Sequence, residues 1–292
     1  GVGLVDRQVL ELVPGSFGPH PAELMAVSDS QGKRPRIVVT NDDGITAKGI
    51  QGLAEAMTEF GDVYVVAPDS PQSGMGHAVT FSRILRLHPF EFGRGITEAR
   101  ACSGTPVDCV KLAVAEVFGE DNLPDLLVSG INHGSNASIN VIYSGTMSAA
   151  VEGAMCGIPS IGFSLLDERW DADFTASIGV AKTMAKTVLD NGLPKGTCLN
   201  VNIPKVSPEE LQGIRICRQA MGHWRDTFDQ RETPGGSPYY WMRGEFHNPD
   251  KGEDTDIHAL KRGFASVVPV QFDLTAHHTI GTLNGWNLND AG

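Results

Sequence analysis

Four polar turns carry the residue types that could do chemistry. The stretch TNDDG, at 40–44, ends a β-branched run, RIVVT, in two adjacent carboxylates, Asp42 and Asp43. Neighbouring strand residues point to opposite faces, so these acids converge only if the chain turns there, which Gly44 permits. Their repulsion is relieved by a cation between them or by water. The plainer alternative makes Asp43 the cap of a helix starting near Thr46 and leaves Asp42 solvated. The second turn, PDSPQSGMGHAVT at 68–80, offers the Ser73 hydroxyl followed by Gly74 and Gly76, which allow a ligand close, or is an ordinary flexible loop. The third, VSGINHGSN at 128–136, places Asn132 and Asn136 around a glycine. Asn carbonyls ligate hard cations and Asn amides donate to phosphate oxygens, although Asn also serves simply as a turn former. The fourth, YSGTMSAAVEG at 143–153, opens a small-residue helix with Ser144, Gly145 and Thr146. Its free amides and positive end suit an anion, and simple capping by Ser144 is the alternative.

Taken together, two carboxylates, one hydroxyl and one amide carbonyl form an all-oxygen set. That is chemistry for Mg²⁺ or Mn²⁺, one ion per subunit, and not for zinc. An anion cradle beside a hard cation is what phosphate ester hydrolysis needs.

The elements that must position these turns follow a rhythm. RIVVT, VYVVAP, DLLVSGI, SIGFSL and CLNVNIP read as short apolar strands. Between them AKGIQGLAEAMTEF puts Ile50, Leu53, Met57 and Phe60 on one helical face, and PVDCVKLAVAEVF puts Val107, Val110, Val114 and Val117 on another. Thr105 is the expected N-cap of the latter, with Pro106 at its first position. SGTMSAAVEGAMCG and DFTASIGVAKTMAKTVLDNG complete the helices. The alternation predicts an α/β fold: a mostly parallel sheet with helices on both faces, whose ligands bind beyond the carboxyl ends of the strands. We expect an N-terminal extension over 1–34, with a short helix near VDRQVLELV, and a catalytic core over 35–205. A C-terminal β-rich extension follows over 206–292, with hairpin segments around PGGSP and ASVVPVQFDL as one more strand packing back on the core. Asp254 and Asp256, in EDTDIHAL, are expected to cap a short helix.

Composition narrows the partners. Among 292 residues, 23 Lys and Arg face 35 Asp and Glu, a net charge of −12, so there is no general attraction to a nucleic-acid polymer or an anionic membrane. Five cysteines without a C-x-x-C pair read as buried, reduced thiols. With no membrane-length apolar run and no signal pattern, the expected location is the cytoplasm.

At these residues the sequence resembles the survival-protein-E (SurE) family of nucleotidases and acid phosphatases. NDDG, APDSPQSG, SGTPVDCV, VSGINHGSN, IYSGTMSAAVEG and DTDIHAL fall in the family's order and spacing over roughly residues 35–273. The resemblance implies that Asp42, Asp43, Ser73 and Asn132 hold the metal and that Asn136, Ser144, Gly145 and Thr146 contact phosphate. Asp42 and Asn136 would bear directly on catalysis. It implies nucleoside 5′- and 3′-monophosphates as substrates. It also implies a Rossmann-like three-layer sandwich and a homodimer or homotetramer formed through the exchanged C-terminal extension. The expected route is attack by metal-activated water. An aspartyl-phosphate route through Asp42 is disfavoured, because phosphotransfer aspartates usually come as D-x-D. His133 and His77 are the loop histidines available as general acid. Two rival readings remain: a catalytically silent nucleotide-binding module of the same fold, and a scaffold whose polar turns are only turns.

Overall fold

The computed structural model describes residues 24–25 and 32–286, apart from 94 and 120. The helix expected near residues 5–13 lies outside the described residues. In chain order the elements are β1 (Leu24–Met25), β2 (Arg36–Thr40), α1 (Lys48–Met57), β3 (Asp62–Pro68), β4 (Leu87–Pro89), β5 (Ile96–Cys102) and α2 (Pro106–Leu112). Then come β6 (Leu126–His133), α3 (Gly145–Met155), β7 (Ser160–Leu165), α4 (Thr175–Asn191), β8 (Leu193–Pro194) and β9 (Thr197–Ile203). The remainder holds β10 (Ile214–Ile216), β11 (His223–Glu232), β12 (Pro238–His247), α5 (Asp256–Lys261), β13 (Ala265–Gln271) and α6 (His277–Asn284).

The main sheet has the order β10-β13-β9-β7-β6-β2-β3-β5-β4. From β9 through β5 all neighbours are parallel, while β13 and β4 pair antiparallel at the two sides. Period-two alternation sorts the core into layers. Ile37, Val39, Leu126 and Val128 face one side, where they pack with Ile50, Leu53 and Met57 of α1 and Val180, Met184 and Val188 of α4. Val38, Leu127 and Val66 face the other, against Val110 of α2 and Ala149 of α3. The result is the expected three-layer α/β sandwich, with a strand-rich C-terminal region. β11 and β12 form a separate two-stranded ribbon in register from His223↔His247 to Glu232↔Pro238. Among the described residues no helix is long and apolar enough to cross a membrane.

Local signals act as the sequence suggests. Thr105 caps α2 in a reciprocal capping box with Asp108, ahead of Pro106, and Ser144 caps α3. The alternative that makes Asp43 a helix cap fails, and the expected capping by Asp254 and Asp256 is corrected. α1 starts at Lys48 with no side-chain cap, and Asp43 instead accepts a hydrogen bond from the His133 amide at 3.3 Å. α5 is capped by Thr255, not by its flanking acids. Asp254 pairs with Arg218, and Asp256 is fully buried for another purpose. The helix expected over 106–118 also changes character: after Leu112 it widens into a π-helical turn, Ala113–Phe118.

Candidate active site at the sheet's switch point

From β2 the chain first builds the sheet toward β3 and β5, then crosses over to build β6, β7 and β9 on the other side. The crevice beyond the carboxyl ends of β2 and β6 is therefore the topological switch point, where open α/β sheets bind ligands. A cavity of about 1020 Å³ opens there, lined by Asp42, Ser73, Asn132, Asn136 and Ser144 among others. Asp43, Gly145 and Thr146 are not among its lining residues, although they adjoin the lining residues Asp42 and Ser144 in the chain.

The TNDDG turn is built to hold its acids rigidly. Gly44 takes φ of +96°, the buried Asn41 amide donates to the Gly44 carbonyl at 2.9 Å, and Ile45 N–H donates to the Pro68 carbonyl. Gln72 N–H in turn donates to the Asp42 carbonyl at 2.7 Å, drawing the exposed Ser73 loop over the acid. Burial pushes the Asp42 carboxyl up to about 6, with the Thr146 hydroxyl opposing and the Asp43 charge adding to the rise. Burial raises Asp43 as well, against the opposing His133 amide.

Both Asn132 amide protons go to backbone carbonyls, those of His133 at 3.1 Å and Gly134 at 2.9 Å. Its carboxamide oxygen therefore points the other way. Asn136 is buried, and its side-chain amide donates to Ser164 Oγ at 2.8 Å, while its backbone N–H donates to Asn202 Oδ1 at 2.9 Å. Asn200 completes the lock by donating to the Asn136 carbonyl and accepting from the Asn202 amide. Sequence reasoning passed over Asn200, Asn202 and Ser164. The available signal was two alternate asparagines in CLNVNIP, a strand buried at every position, since buried polar side chains need partners.

The N-terminus of α3 packs directly on Asp42. A Cβ at Gly145 would lie 2.8 Å from Asp42 Cβ, so only glycine allows this approach. Thr146 is fully buried, and its hydroxyl donates to Asp42 Oδ1 at 2.5 Å. Its side chain thus serves the acid. Of the two histidines, His133 lines the cavity, its ring edge-on to Phe174 at 5.0 Å. His77 is bound to the buried Glu152 at 3.0 Å, which also holds Lys111.

The donor set fits a hard cation. Among the described residues no lysine or arginine is paired with Asp42 or Asp43, so the buried Asp42 and the half-buried Asp43 stand beside an amide oxygen, with His133 as the nearby group that favours the ionised Asp43. Nor, among the described residues, do three His, Cys, Asp or Glu side chains gather as a metal site. A cation here would complete its coordination from neutral oxygens and water, as magnesium and manganese do.

The comparisons with known proteins agree with one another. The family model described as Survival protein SurE matches residues 37–226. A protein of Christiangramia forsetii named 5′-nucleotidase SurE is 59% identical over 259 residues, spanning 88% of this chain and 99% of its own length. One of the same name from Flavobacterium psychrophilum is 59% identical over 256 residues, again 88% of this chain and 99% of its own. The crystal structure of SurE protein from Aquifex aeolicus matches with a TM-score of 0.74 at 37% identity, covering 86% of this chain and 99% of that one.

Proposed function

The chain belongs to the survival protein SurE family, and from that premise we propose that it is a divalent-cation-dependent phosphomonoesterase that converts nucleoside 5′-monophosphates, and 3′-monophosphates, to nucleoside and phosphate. The observation that carries the reading is the buried Asp42 carboxylate without a basic partner, on one cavity with the Asn132 oxygen and the opening of α3.

Asp42, Asp43, Ser73 and Asn132 would hold Mg²⁺ or Mn²⁺, one per subunit. When bound, such an ion polarises the phosphoryl group and makes water a better nucleophile. The chain's own residues supply the rest. Asn136, with one amide proton committed to Ser164, keeps the second for a phosphoryl oxygen. Ser144 and the Gly145 amide present donors at the positive end of α3. Thr146 keeps Asp42 ionised and oriented. His133, at the cavity wall, is the histidine placed to protonate the leaving oxygen. Leu166 and Glu168 close another side of the cleft.

In the same reading residues 35–205 form the catalytic core and 206–292 an arm that joins subunits into a dimer or tetramer. Its ribbon leaves Phe228, Tyr240, Trp241 and Met242 each more than half exposed, an apolar surface of the kind that marks an interface.

The test is phosphate release from AMP with Mg²⁺ or Mn²⁺, with EDTA, and in Asp42→Asn and Asn132→Ala. Release should collapse in the last three while folding is kept. Tight AMP binding with no release would instead identify a silent binding module, and activity that survives thorough chelation would remove the cation from the scheme.

A further inference from the structure

The cavity is far larger than a phosphate requires, and its wall remote from the acids is not made by the sheet. It is made by the root of the β11–β12 ribbon, through Trp224, Asp226, Met242 and Phe246, and by α5, through Ile257, Leu260 and Lys261. Strand alternation puts Trp224 and Asp226 on one face of β11. The register pairs them with Phe246 and Gly244, which places Met242 on that face too. This face is built with care. Trp224 and Phe246 are directly opposite and meet edge-to-face, with ring centroids 5.6 Å apart. A Cβ at Gly244 would lie 2.8 Å from Trp224 Cε3, and one at Gly222 would lie 2.4 Å from Phe246 Cζ, so both rings are seated over glycines. The Trp224 indole N–H donates to Asn140 Oδ1 at 2.7 Å, and Asn140 is itself held by the Ser135 carbonyl. Asn140 lies in the 3₁₀ turn, Ser138–Ile142, that follows Asn136. An indole locked at both ends yet 40% exposed is a ring held ready for a flat partner rather than a core residue.

We propose that this aromatic wall is a nucleobase subsite, with Trp224 as its stacking residue. The inference rests on the nucleotidase reading and adds what recognises the base. On the ribbon itself the cavity-lining residues are Trp224, Phe246, Met242, Gly244 and the Asp226 carboxylate, a face that suits a base and not a phosphate, while Lys261 lines the cavity from α5. The nucleotide therefore lies with its phosphate toward Asn136 and Ser144 and its base on the ribbon. Stacking is tolerant of base identity because every base offers a π-face, so purines and pyrimidines both bind and the larger purines bind better.

The experiment compares AMP with ribose 5-phosphate, which keeps sugar and phosphate but lacks the base, in wild type, Trp224→Ala and Trp224→Phe. In Trp224→Ala the KM for AMP should rise between about 5-fold and 150-fold, the range set by one base–aromatic stack. The ratio of kcat/KM for AMP to that for ribose 5-phosphate should fall by the same factor, and Trp224→Phe should recover most of it. An equal loss on both substrates, or no change in the AMP KM, overturns the subsite. Direct calorimetric binding of adenosine, which carries no phosphate, is the second readout. If wild type hydrolyses neither ester but binds adenosine in a Trp224-dependent way, the hydrolase reading fails and the subsite stands. If adenosine binds wild type and Trp224→Ala equally, the subsite fails whatever the activity.

Discussion

The Thr146 hydroxyl, at the first turn of α3, donates to Asp42 Oδ1 at 2.5 Å across 104 positions of chain. This bond favours the ionised acid against the burial that raises it to about 6. Thr146→Val should remove that support and push Asp42 higher still. Hydrogen bonds to charged groups contribute about 1.5–3 kcal/mol, which corresponds to about one pH unit or more. The acidic limb of the pH–activity profile should therefore move to higher pH by that amount. An unmoved limb would show that another group sets it.

Asp42 carries a stability consequence with a definite sign. Its folded value, about 6, lies above its ordinary value of 3.8. Its contribution is fully present below pH 3.8 and is lost as pH rises through 6. Above that, the ionised acid disfavours the cation-free fold by about 3 kcal/mol. Asp42→Asn should thus melt higher than wild type at pH 8 in EDTA, match it near pH 4, and be inactive throughout. A variant that melts lower at pH 8 contradicts the account.

Cation and proton compete for the same carboxylate. Added Mg²⁺ or Mn²⁺ should raise the melting temperature at pH 7–8, in proportion to the logarithm of its concentration over Kd. The apparent affinity should weaken by about tenfold per pH unit below 6. Calorimetric melts at pH 5 and pH 8 check this, and equal stabilisation at both would place the ion elsewhere.

Asp256 ties the ribbon to the site. Its carboxylate accepts from Ser138 N–H at 2.7 Å and Ala220 N–H at 3.0 Å, joining the loop after Asn136 to the segment that leads into β11. Ser138 sits at a positive φ of 57°, which no local signal would maintain. Asp256→Ala leaves these two buried donors unpaired and should cost about 2–6 kcal/mol, at about 1–3 kcal/mol for each. Chemical unfolding measures it, and Asp256→Asn should recover only part, since an amide oxygen replaces one of two acceptors.

Phe228 and Tyr240 lie on the outer half of the ribbon, 65% and 58% exposed. Phe228→Lys combined with Tyr240→Lys should shift the protein to a smaller species in analytical ultracentrifugation without lowering its monomer fold content. An unchanged sedimentation coefficient would clear the ribbon of a part in assembly.

Legibility follows the range of the interaction. The Thr105–Asp108 capping box and the Ser144 cap are made within three residues, so their signals stand side by side in the sequence. The parallel core strands are legible because a strand buried on both faces is a continuous apolar run. β5 is not such a run: ITEARAC has charged residues and lies near the sheet's edge, half-buried, so it carries no continuous apolar signal. The alternative reading of Asp43 as a helix cap fails because adjacency points to a helix start, whereas the actual partner, the His133 amide, comes from β6.

The sequence by itself determined the layer architecture, the four polar turns and the oxygen-rich character of their side chains, since periodicity and residue type are local properties. Only the tertiary structure decided the division of labour. Thr146 turns inward to Asp42, Asn200 and Asn202 brace Asn136, and Trp224 faces the cavity from a ribbon nearly two hundred residues beyond the acids. Each of these depends on burial and on partners distant in the chain, and the crossover of strand order brings those partners together.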